Sequence, residues 1–409
     1  VLAFARADAP PEALVLTQQM VEHQLIFLGI QGMLDPPRPE AVAAVAACQR
    51  AGVRVKMITG DHAGTAATIA RMIGIDDAPK PINEHPSPPS IITGAEMAAI
   101  ADSDLSARAE SIAVFARMTP EQKLRLVRAL QARGHVVAMT GDGVNDAPAL
   151  RQADIGVAMG VAGTEVAKDA ADMVLADDNF ATIEAAVEEG RNVFSNLTKF
   201  IVWTLPTNGG EAFIILAAIT LGWPLPIMPV HALYINMVTA ILLGMPLIFE
   251  SREPNVMARP PRDPDRPLLT FELFMRTGLV SLLLCAGSMG LFQWELSRGM
   301  SEPAARTAAV SVIVIGEIFY LFSSRALLRP AWAVPLFSNL WLWAGIAAMI
   351  AVQLGFAHLS VVNRLFHTAP LDAAAWSRVF LAGASVLLIV EAEKAIRRST
   401  ARTQPSDSA

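Results

Sequence analysis

Met139-Thr-Gly-Asp-Gly-Val-Asn-Asp-Ala-Pro-Ala-Leu150 is the stretch that decides the fold, and it completes a short apolar run at residues 135–139. A shorter copy of its beginning, Met57-Ile-Thr-Gly-Asp61, completes a second apolar run at residues 53–58. Glycine allows a sharp turn at a strand end, and the backbone N–H groups of such a turn can hold phosphate oxygens. Asp142 and Asp146 are carboxylates four residues apart, which suit a hard cation such as Mg²⁺. The two turns predict a phosphate and magnesium site.

Apolar runs of strand type alternate with helical patterns across residues 25–190. The predicted strands are 25–30, 53–58, 111–115, 135–139, 154–158 and 172–175, and the predicted helices are 39–51, 62–73, 120–133, 147–152 and 164–169. Such alternation is typical of a parallel sheet with helices on both faces, in which ligands bind beyond the carboxyl ends of the strands. Both Thr-Gly-Asp turns fall at such ends. Lys123 lies near the start of a predicted helix, from which its ammonium can reach a phosphate.

The second half of the chain has the composition of a membrane domain. Of the 409 residues 53% are hydrophobic and 17% charged, whereas soluble domains carry about 25% charge. Six apolar stretches lie at 199–221, 228–249, 272–295, 307–327, 338–358 and 376–395, and most reach the roughly 20 residues that span a bilayer as a helix. Twelve Lys and Arg residues flank the spans on the side of the first half, against four on the other side. This asymmetry predicts that the first half and both chain ends are cytoplasmic.

Composition also excludes two classes of protein. Residues 1–190 carry 15 Lys and Arg against 25 Asp and Glu, which argues against nucleic-acid binding because such a domain would show a basic surface. The chain has two cysteines, too few for a disulfide framework or a thiolate metal site. It begins with Val, and we expect the true start to lie upstream.

Polar side chains inside the predicted spans suggest a site for a transported cation. Glu211 lies midway along the first span and Glu317 midway along the fourth, although a carboxylate in a bilayer is costly. Asn208 precedes Glu211 by three residues, and Asn236 and Thr239 repeat this spacing in the second span. Oxygen ligands on facing helices can form a hard-cation site. The alternative is that the Asn and Thr side chains serve only as polar contacts between helices.

Several motifs together resemble the P-type cation-transporting ATPases, in the branch of the calcium and sodium/potassium pumps. The motifs are Asp35-Pro-Pro-Arg-Pro39, Thr59-Gly-Asp61, Phe115-Ala-Arg-Met-Thr-Pro-Glu-Gln-Lys123, Thr140–Leu150, Glu165–Asp172 and Gly190–Lys199. The resemblance implies a multi-domain membrane protein. Its cytoplasmic domain would be an α/β domain of the haloacid-dehalogenase-like (Rossmann-type) class, the phosphorylation domain of that family. A bundle of the family's last six transmembrane helices would follow.

The resemblance also implies roles for individual residues, with Mg²⁺ and ATP as cofactors. Asp142 would hold Mg²⁺, Asn145 and Asp146 would order the phosphate site, and Lys123 would contact the phosphoryl group. Thr59, Gly60, Asp61 and Arg117 would line the nucleotide and phosphate pocket, and Asp35 would lie at a hinge. The transported cation would be held by Asn208, Glu211, Asn236, Thr239 and Glu317.

Three departures from the family limit what the resemblance implies. The family forms an aspartyl-phosphate on an Asp-Lys-Thr-Gly-Thr motif, which this sequence lacks, so we expect the chain alone to be inactive. The family's actuator domain, first four membrane helices and most of its nucleotide domain have no counterpart here and would be the chain's partners, with the bilayer and the cation. Ala240 stands where the family has Asp directly after the Thr, so we expect at most one cation per cycle.

The predicted organisation has four parts. Residues 1–24 would be the end of a nucleotide-binding domain, 25–190 the phosphorylation domain, 191–398 the membrane domain and 399–409 a disordered tail. The favoured function is the C-terminal portion of an ATP-driven cation pump, in the plasma membrane. The alternatives are a natural half-pump or non-catalytic membrane partner, and a membrane-tethered phosphohydrolase, for which only Asp35 follows the first predicted strand closely.

Overall fold

The chain divides into two units, Val1–Ala185 and Ala186–Ala409. The computed structural model describes residues 2–7, 15, 25–32, 36–75 and 90–403. The predicted hinge residue Asp35 and most of the predicted remnant at 1–24 lie outside these residues.

The first unit is built on parallel strands, as the alternation predicts. Its strands are β1 (Leu2–Arg6), β2 (Ile26–Gln31), β3 (Met57–Thr59), β4 (Ile91–Thr93), β5 (Val114–Ala116), β6 (Ala138–Gly141), β7 (Ile155–Met159) and β8 (Met173–Leu175). One parallel sheet has the order β3-β5-β4 and a second has the order β6-β7-β8. Ile58 packs against the apolar cores beside both sheets. The predicted parallel α/β fold is therefore confirmed.

The first predicted strand is an exception. Residues 25–30 form most of β2, but β2 pairs with β1 in a separate antiparallel ribbon. Five of the six side-chain positions of β2 are exposed, so the prediction of a strand buried in the parallel sheet is wrong. A two-stranded ribbon has no second layer of its own to bury an apolar face, and continuous apolar character does not reveal which partner a strand takes.

Within the described residues, seven helices accompany these strands. They are α1 (Pro39–Arg50), α2 (Ala63–Ile73), α3 (Gly94–Ala98), α4 (Asp102–Arg108), α5 (Pro120–Gln131), α6 (Ala147–Gln152) and α7 (Glu165–Ala170). The five predicted helices are confirmed within two residues at each end. The sequence did not predict β4, α3 and α4, because elements of three to seven residues are too short to show a period. Met97 and Leu105 from these two helices nevertheless lie fully buried in a core with Phe115.

The second unit contains six helices that are long and apolar enough to cross a membrane, among the described residues. The helices from this point on are α8 (Phe180–Leu221), α9 (Pro229–Thr239), α10 (Phe271–Ser297), α11 (Glu302–Ser324), α12 (Leu340–His358), α13 (Ser360–Phe366) and α14 (Ala373–Thr403). All except the short α13 contribute a span, and α8 begins in the first unit. Each predicted apolar stretch falls on one of them, so the six predicted spans are confirmed.

The helix α11 forms the centre of this bundle. Of its apolar window 83% is buried, against at most 39% for any other span. Close approach depends on glycine: a Cβ at Gly316 would meet Leu284 of α10 at 2.7 Å, and one at Gly383 of α14 would meet Ile315 at 2.6 Å. Small residues at helix contacts are what allows tight packing where lipid gives no hydrophobic drive.

The last helix extends further than predicted. The helix α14 continues through Thr403, so the prediction of disorder from Ser399 is wrong for residues 399–403. Extending an existing helix needs no new nucleation, and Ala401 and Arg402 are good helix formers. Residues 404–409 lie outside the described part of the chain.

A buried ion pair joins two connecting segments at one end of the bundle. Arg325, just after α11, contacts the Glu250 carboxylate through Nε (3.0 Å) and Nη2 (2.8 Å), and both side chains are 1% exposed. Asn339 donates to Glu250 and to the Pro246 carbonyl, and Ser338 accepts from Arg325. The pair is fully hydrogen-bonded, as a buried pair must be.

Removing one partner of this pair should destabilise the second unit strongly. We expect Arg325→Met to cost about 3–5 kcal/mol, because Glu250 would be left buried without a counter-charge. Arg252→Met is the matched control, because Arg252 pairs with Glu188 but is 55% exposed, and exposed pairs contribute about 0–1 kcal/mol. Thermal unfolding in detergent measures both. Equal losses would contradict the role given to Glu250.

Candidate functional site

The ends of β3 and β5 bring two of the predicted pocket segments together. Thr59 and Ala116 are register partners in parallel strands, so the residues that follow them emerge side by side. The Arg117 N–H donates to the Asp61 carbonyl (3.1 Å), and the Met118 N–H donates to the Thr59 carbonyl (3.2 Å). Arg117 has φ +54°, a left-handed conformation that is uncommon for this residue type and occurs at ligand sites.

The helix α5 starts where it does because of its first residues. Thr119 and Gln122 form a capping box, and Pro120 occupies the first turn, where its missing N–H is harmless. Gln122 also donates to the Gly94 carbonyl (2.7 Å). These contacts fix the first turn of α5 and place Lys123 in the helix with little freedom.

Lys123 meets Asp146 at the end of β6. The ammonium nitrogen lies 2.5 Å from Asp146 Oδ1, and both side chains are mostly buried. The other carboxylate oxygen accepts from the Gly143 N–H (3.3 Å). The structure therefore brings together two of the residues predicted for the phosphate site, and both oxygens of Asp146 already have partners in the protein.

Asp142 and Asn145 have a different environment. Both are exposed, and within the described residues no protein group bonds to the Asp142 carboxylate. Its backbone carbonyl accepts from the Thr164 N–H (2.8 Å), which fixes the loop. No three His, Cys, Asp or Glu side chains cluster as a metal site in the described part of the chain. Asp142 thus fits Mg²⁺ as a single protein carboxylate, with the remaining ligands coming from phosphate or water, as is usual for this ion.

In the second unit, carboxyl groups from two helices lie in an apolar bundle. Glu211 of α8 is 6% exposed and Glu317 of α11 is 1% exposed. Asn236 of α9 donates to Glu211 Oε2 (2.7 Å). Glu211 Oε1 and both Glu317 oxygens are buried without a hydrogen bond among the described residues. Buried acceptors without partners are expensive, so these three oxygens are candidates for binding a cation.

Two hydroxyl side chains lie close to Glu317. Thr239 of α9 and Thr207 of α8 are its polar neighbours, together with Glu211; both threonines are buried. The sequence analysis missed Thr207. It precedes Glu211 by four residues and so lies on the same face of α8, a spacing that could have identified it. The donor set comprises carboxyl, hydroxyl and amide oxygens, which suits a hard cation.

Asn208 lies elsewhere. Its side chain is exposed and donates to the Thr204 carbonyl of its own helix (3.3 Å). The structure therefore brings four of the five predicted cation ligands together but not the fifth, because Thr207 rather than Asn208 occupies the face of α8 that meets Glu317.

Pro206 does not open the helix that carries Glu211. The helix α8 runs unbroken through this residue. The carbonyl of Val202, which the missing Pro206 N–H would have bonded, accepts from the Tyr320 hydroxyl (3.2 Å). The Pro206 carbonyl accepts from Ser281 (3.0 Å). Neighbouring helices therefore supply donors to both carbonyls, and Pro206 does not free them for a cation.

The second span is irregular directly beside the ligands. The α-helix α9 ends at Thr239, a π-helical segment covers Ala240–Gly244, and a 3₁₀ segment covers Met245–Phe249. Such π segments are common at functional sites. Ala240, where the resemblance expects a carboxylate, is the first residue of the π segment.

Comparison with known proteins relates both units to one class of enzyme. Residues 224–396 match a family described as cation transporting ATPase, C-terminus. Residues 7–154 and 124–186 match two families described as haloacid dehalogenase-like hydrolase. The chain is 55% identical over 388 residues to the "Probable cation-transporting ATPase F" of Mycobacterium tuberculosis. The match covers 95% of this chain and 42% of that protein.

Two further relatives also carry the name of a cation- or calcium-transporting ATPase. The "Cation-transporting ATPase pma1" of Synechocystis is 47% identical, covering 92% of this chain and 41% of that protein. The "Calcium-transporting ATPase" of Bacillus subtilis is 38% identical, covering 89% of this chain and 40% of that protein. The chain belongs to the P-type cation-transporting ATPases. It matches the C-terminal part of these proteins and spans about two fifths of their length.

The six apolar helices, together with the membership of the P-type ATPases, show that the chain is an integral membrane protein. It also relates the two candidate sites to one enzyme class, because the haloacid dehalogenase-like matches include Lys123 and Asp146, whereas the match to the ATPase C-terminus includes Thr239 and Glu317.

Packing at Gly141 offers a test of the geometry around the Lys123–Asp146 pair. A Cβ at Gly141 would lie 2.5 Å from Asp146 Cβ, whereas one at Gly143 would have nothing closer than 3.7 Å. We expect Gly141→Ala to displace the Lys123–Asp146 pair and to lower stability by about 1–3 kcal/mol. Gly143→Ala should change stability by less than about 1 kcal/mol. Thermal unfolding of the first unit within the intact chain measures both, and equal effects would refute the close contact.

Proposed function

We propose that this chain is the C-terminal part of an ATP-driven cation pump. In this proposal Mg²⁺-dependent phosphoryl chemistry in the first unit drives transport of a cation through the second. The observation that carries the proposal is that three buried carboxyl oxygens, Glu211 Oε1 and both of Glu317, have no hydrogen bond to any described residue. Ionisable groups inside membrane spans are rare and usually functional.

The transported ion would be held between three helices. Glu211 and Thr207 lie on α8, Asn236 and Thr239 on α9, and Glu317 on α11. A cation here would give the three oxygens a partner and offset the cost of burying them. Two carboxyl groups balance the charge of one divalent ion, and Ala240 adds none, which supports one cation per cycle. The experiment below identifies the ion.

The first unit would bind the phosphate end of ATP. Asp142 would hold Mg²⁺, which supplies positive charge to the oxygens of the transferred phosphoryl group. Lys123, positioned by Asp146, would place its ammonium beside the same oxygens. Thr59, Gly60, Asp61 and Arg117 would line the rest of the pocket, since their backbones are hydrogen-bonded into one loop pair. Asn145 would order the phosphate site.

Coupling would pass along α8. This helix begins at Phe180 and ends at Leu221, so one continuous helix contains Thr207, Glu211 and the last residues of the first unit. At 1.5 Å per residue its length is about 63 Å, twice the roughly 30 Å of a bilayer core. A displacement of its first turns would therefore reach the cation ligands.

The proposed setting follows from the distribution of Lys and Arg. Twelve flank the spans on the side of the first unit and four on the other, which supports a cytoplasmic first unit. The proposed membrane is the plasma membrane. The proposed boundaries are 25–190 for the phosphorylation domain and 191–398 for the membrane domain. The further partners would be the bilayer and the preceding part of a pump, with its phosphoryl-acceptor motif.

Cation-dependent ATP hydrolysis by the membrane-bound protein that carries this chain tests the proposal. Activity is measured over a concentration series of Ca²⁺, Mn²⁺, Na⁺ and K⁺. We expect one of these to stimulate hydrolysis, and Glu211→Gln or Glu317→Gln to raise its half-maximal concentration at least about tenfold, or roughly 1.4 kcal/mol. Each substitution removes a charged ligand while keeping the side chain's shape.

Glu272→Gln is the control, because Glu272 lies in the first turn of α10 with its side chain 65% exposed. Its half-maximal concentration should stay within about twofold of the unaltered protein. Hydrolysis that no cation stimulates, or wild-type affinity in both glutamine variants, would refute the pump or its site.

A further inference from the structure

Gln353 is a buried amide on a span that carries none of the proposed cation ligands. It lies on α12 and is 2% exposed. Its Oε1 accepts from the Tyr234 hydroxyl of α9 (2.8 Å), and its Nε2 donates to Ser311 Oγ of α11 (3.0 Å). One side chain thus bridges the two helices that carry Asn236, Thr239 and Glu317.

The bridge meets both helices at a similar level. Tyr234 precedes Thr239 by five residues, and Ser311 precedes Glu317 by six, or about 7.5 and 9 Å along each axis. The helices α9 and α11 are the second and fourth of six consecutive spans, so they cross the membrane in the same direction. Both contacts therefore lie on the same side of the cation ligands.

Each end of the bridge is itself held in place. The ring of Tyr234 stacks on Phe356 of α12 with centroids 4.4 Å apart. The Ser311 hydroxyl donates to the Thr307 carbonyl one turn earlier in α11 (2.7 Å). The Gln353 amide therefore connects two side chains that belong to different helices.

The helix α9 loses its regular geometry beside two of the proposed cation ligands. Directly after Thr239 it changes to the π segment Ala240–Gly244. Beside that segment α12 packs in backbone contact, because a Cβ on Gly345 would overlap the Leu242 carbonyl. The helix α12 therefore holds α9 on both sides of Asn236 and Thr239, at Tyr234 through Gln353 and at Leu242 through Gly345.

We propose that Gln353 is a positioning residue for the cation site, which fixes the register of α9 against α11 and so sets cation affinity. This inference rests on the proposed transport function. Polar contacts between membrane helices often stabilise the bundle and do nothing else. A purely structural bridge would lower the unfolding temperature but leave the half-maximal cation concentration unchanged, whereas a positioning residue changes that concentration.

The test measures cation-stimulated ATP hydrolysis and thermal unfolding of the complete membrane-bound protein. The variants are Gln353→Met, which keeps the side chain's length without its polar atoms, Tyr234→Phe and Ser311→Ala. Ser324→Ala is the matched control, because Ser324 is similarly buried in α11 and donates to the carbonyl four residues earlier, but its side chain bonds no other helix among the described residues.

We expect the three variants to raise the half-maximal cation concentration about three- to tenfold, with a smaller change in maximal rate. Tyr234→Phe combined with Gln353→Met should be no worse than Gln353→Met alone, since both remove the same contact. Ser324→Ala should stay within about twofold.

Unchanged cation affinity in Gln353→Met, in a protein whose hydrolysis still depends on the cation, would overturn the positioning role alone. An equal shift in Ser324→Ala would overturn it as well. Hydrolysis that no cation stimulates in the unaltered protein would overturn the proposed function, and this inference with it.

Discussion

The cost of keeping carboxyl groups in an apolar bundle is the constraint on which the second unit depends. Glu317 lies on α11, the most buried span, and neither of its carboxyl oxygens has a hydrogen bond in the described structure. A polar group left in that state costs about 1–3 kcal/mol, and a charged one costs more. In the proposed site a cation would offset this cost, and the neighbouring Glu211, Thr207 and Thr239 would supply further oxygens for it.

The irregular features around the site are consistent with this constraint. Two other polar groups in the bundle are paired: Tyr320 bonds the Val202 carbonyl that Pro206 leaves free, and Arg325 neutralises Glu250. The π segment after Thr239 and the close contact at Gly345 concentrate distortion beside the ligands. In the first unit the same contrast recurs, since Asp146 is paired with Lys123 whereas the Asp142 carboxylate is exposed and unbonded within the described residues.

Much of the fold follows from sequence because two periods dominate it. The apolar span occurs six times, and the alternation of strand and helix recurs through the first unit. An error in one element therefore does not change the predicted architecture. The short elements β4, α3 and α4 were missed because they are shorter than a recognisable period. The predicted partner of β2 was wrong, because an apolar run does not show which strand lies beside it. Within the cation site, Glu211 and Glu317 were predictable since an intramembrane carboxyl group is conspicuous. Thr207 was not, because a threonine becomes a ligand only through the rotation of α8, which places Asn208 on the exposed face.

The measurement that tests the account most directly is equilibrium binding of the labelled stimulating cation to the purified, detergent-solubilised protein. The account predicts one high-affinity cation per chain, because Glu211 and Glu317 together balance one divalent ion and Ala240 contributes no charge. It also predicts no high-affinity binding once both glutamates are replaced by glutamine. Two cations per chain, or undiminished binding in the doubly substituted protein, would contradict the claim that these carboxyl groups form the site.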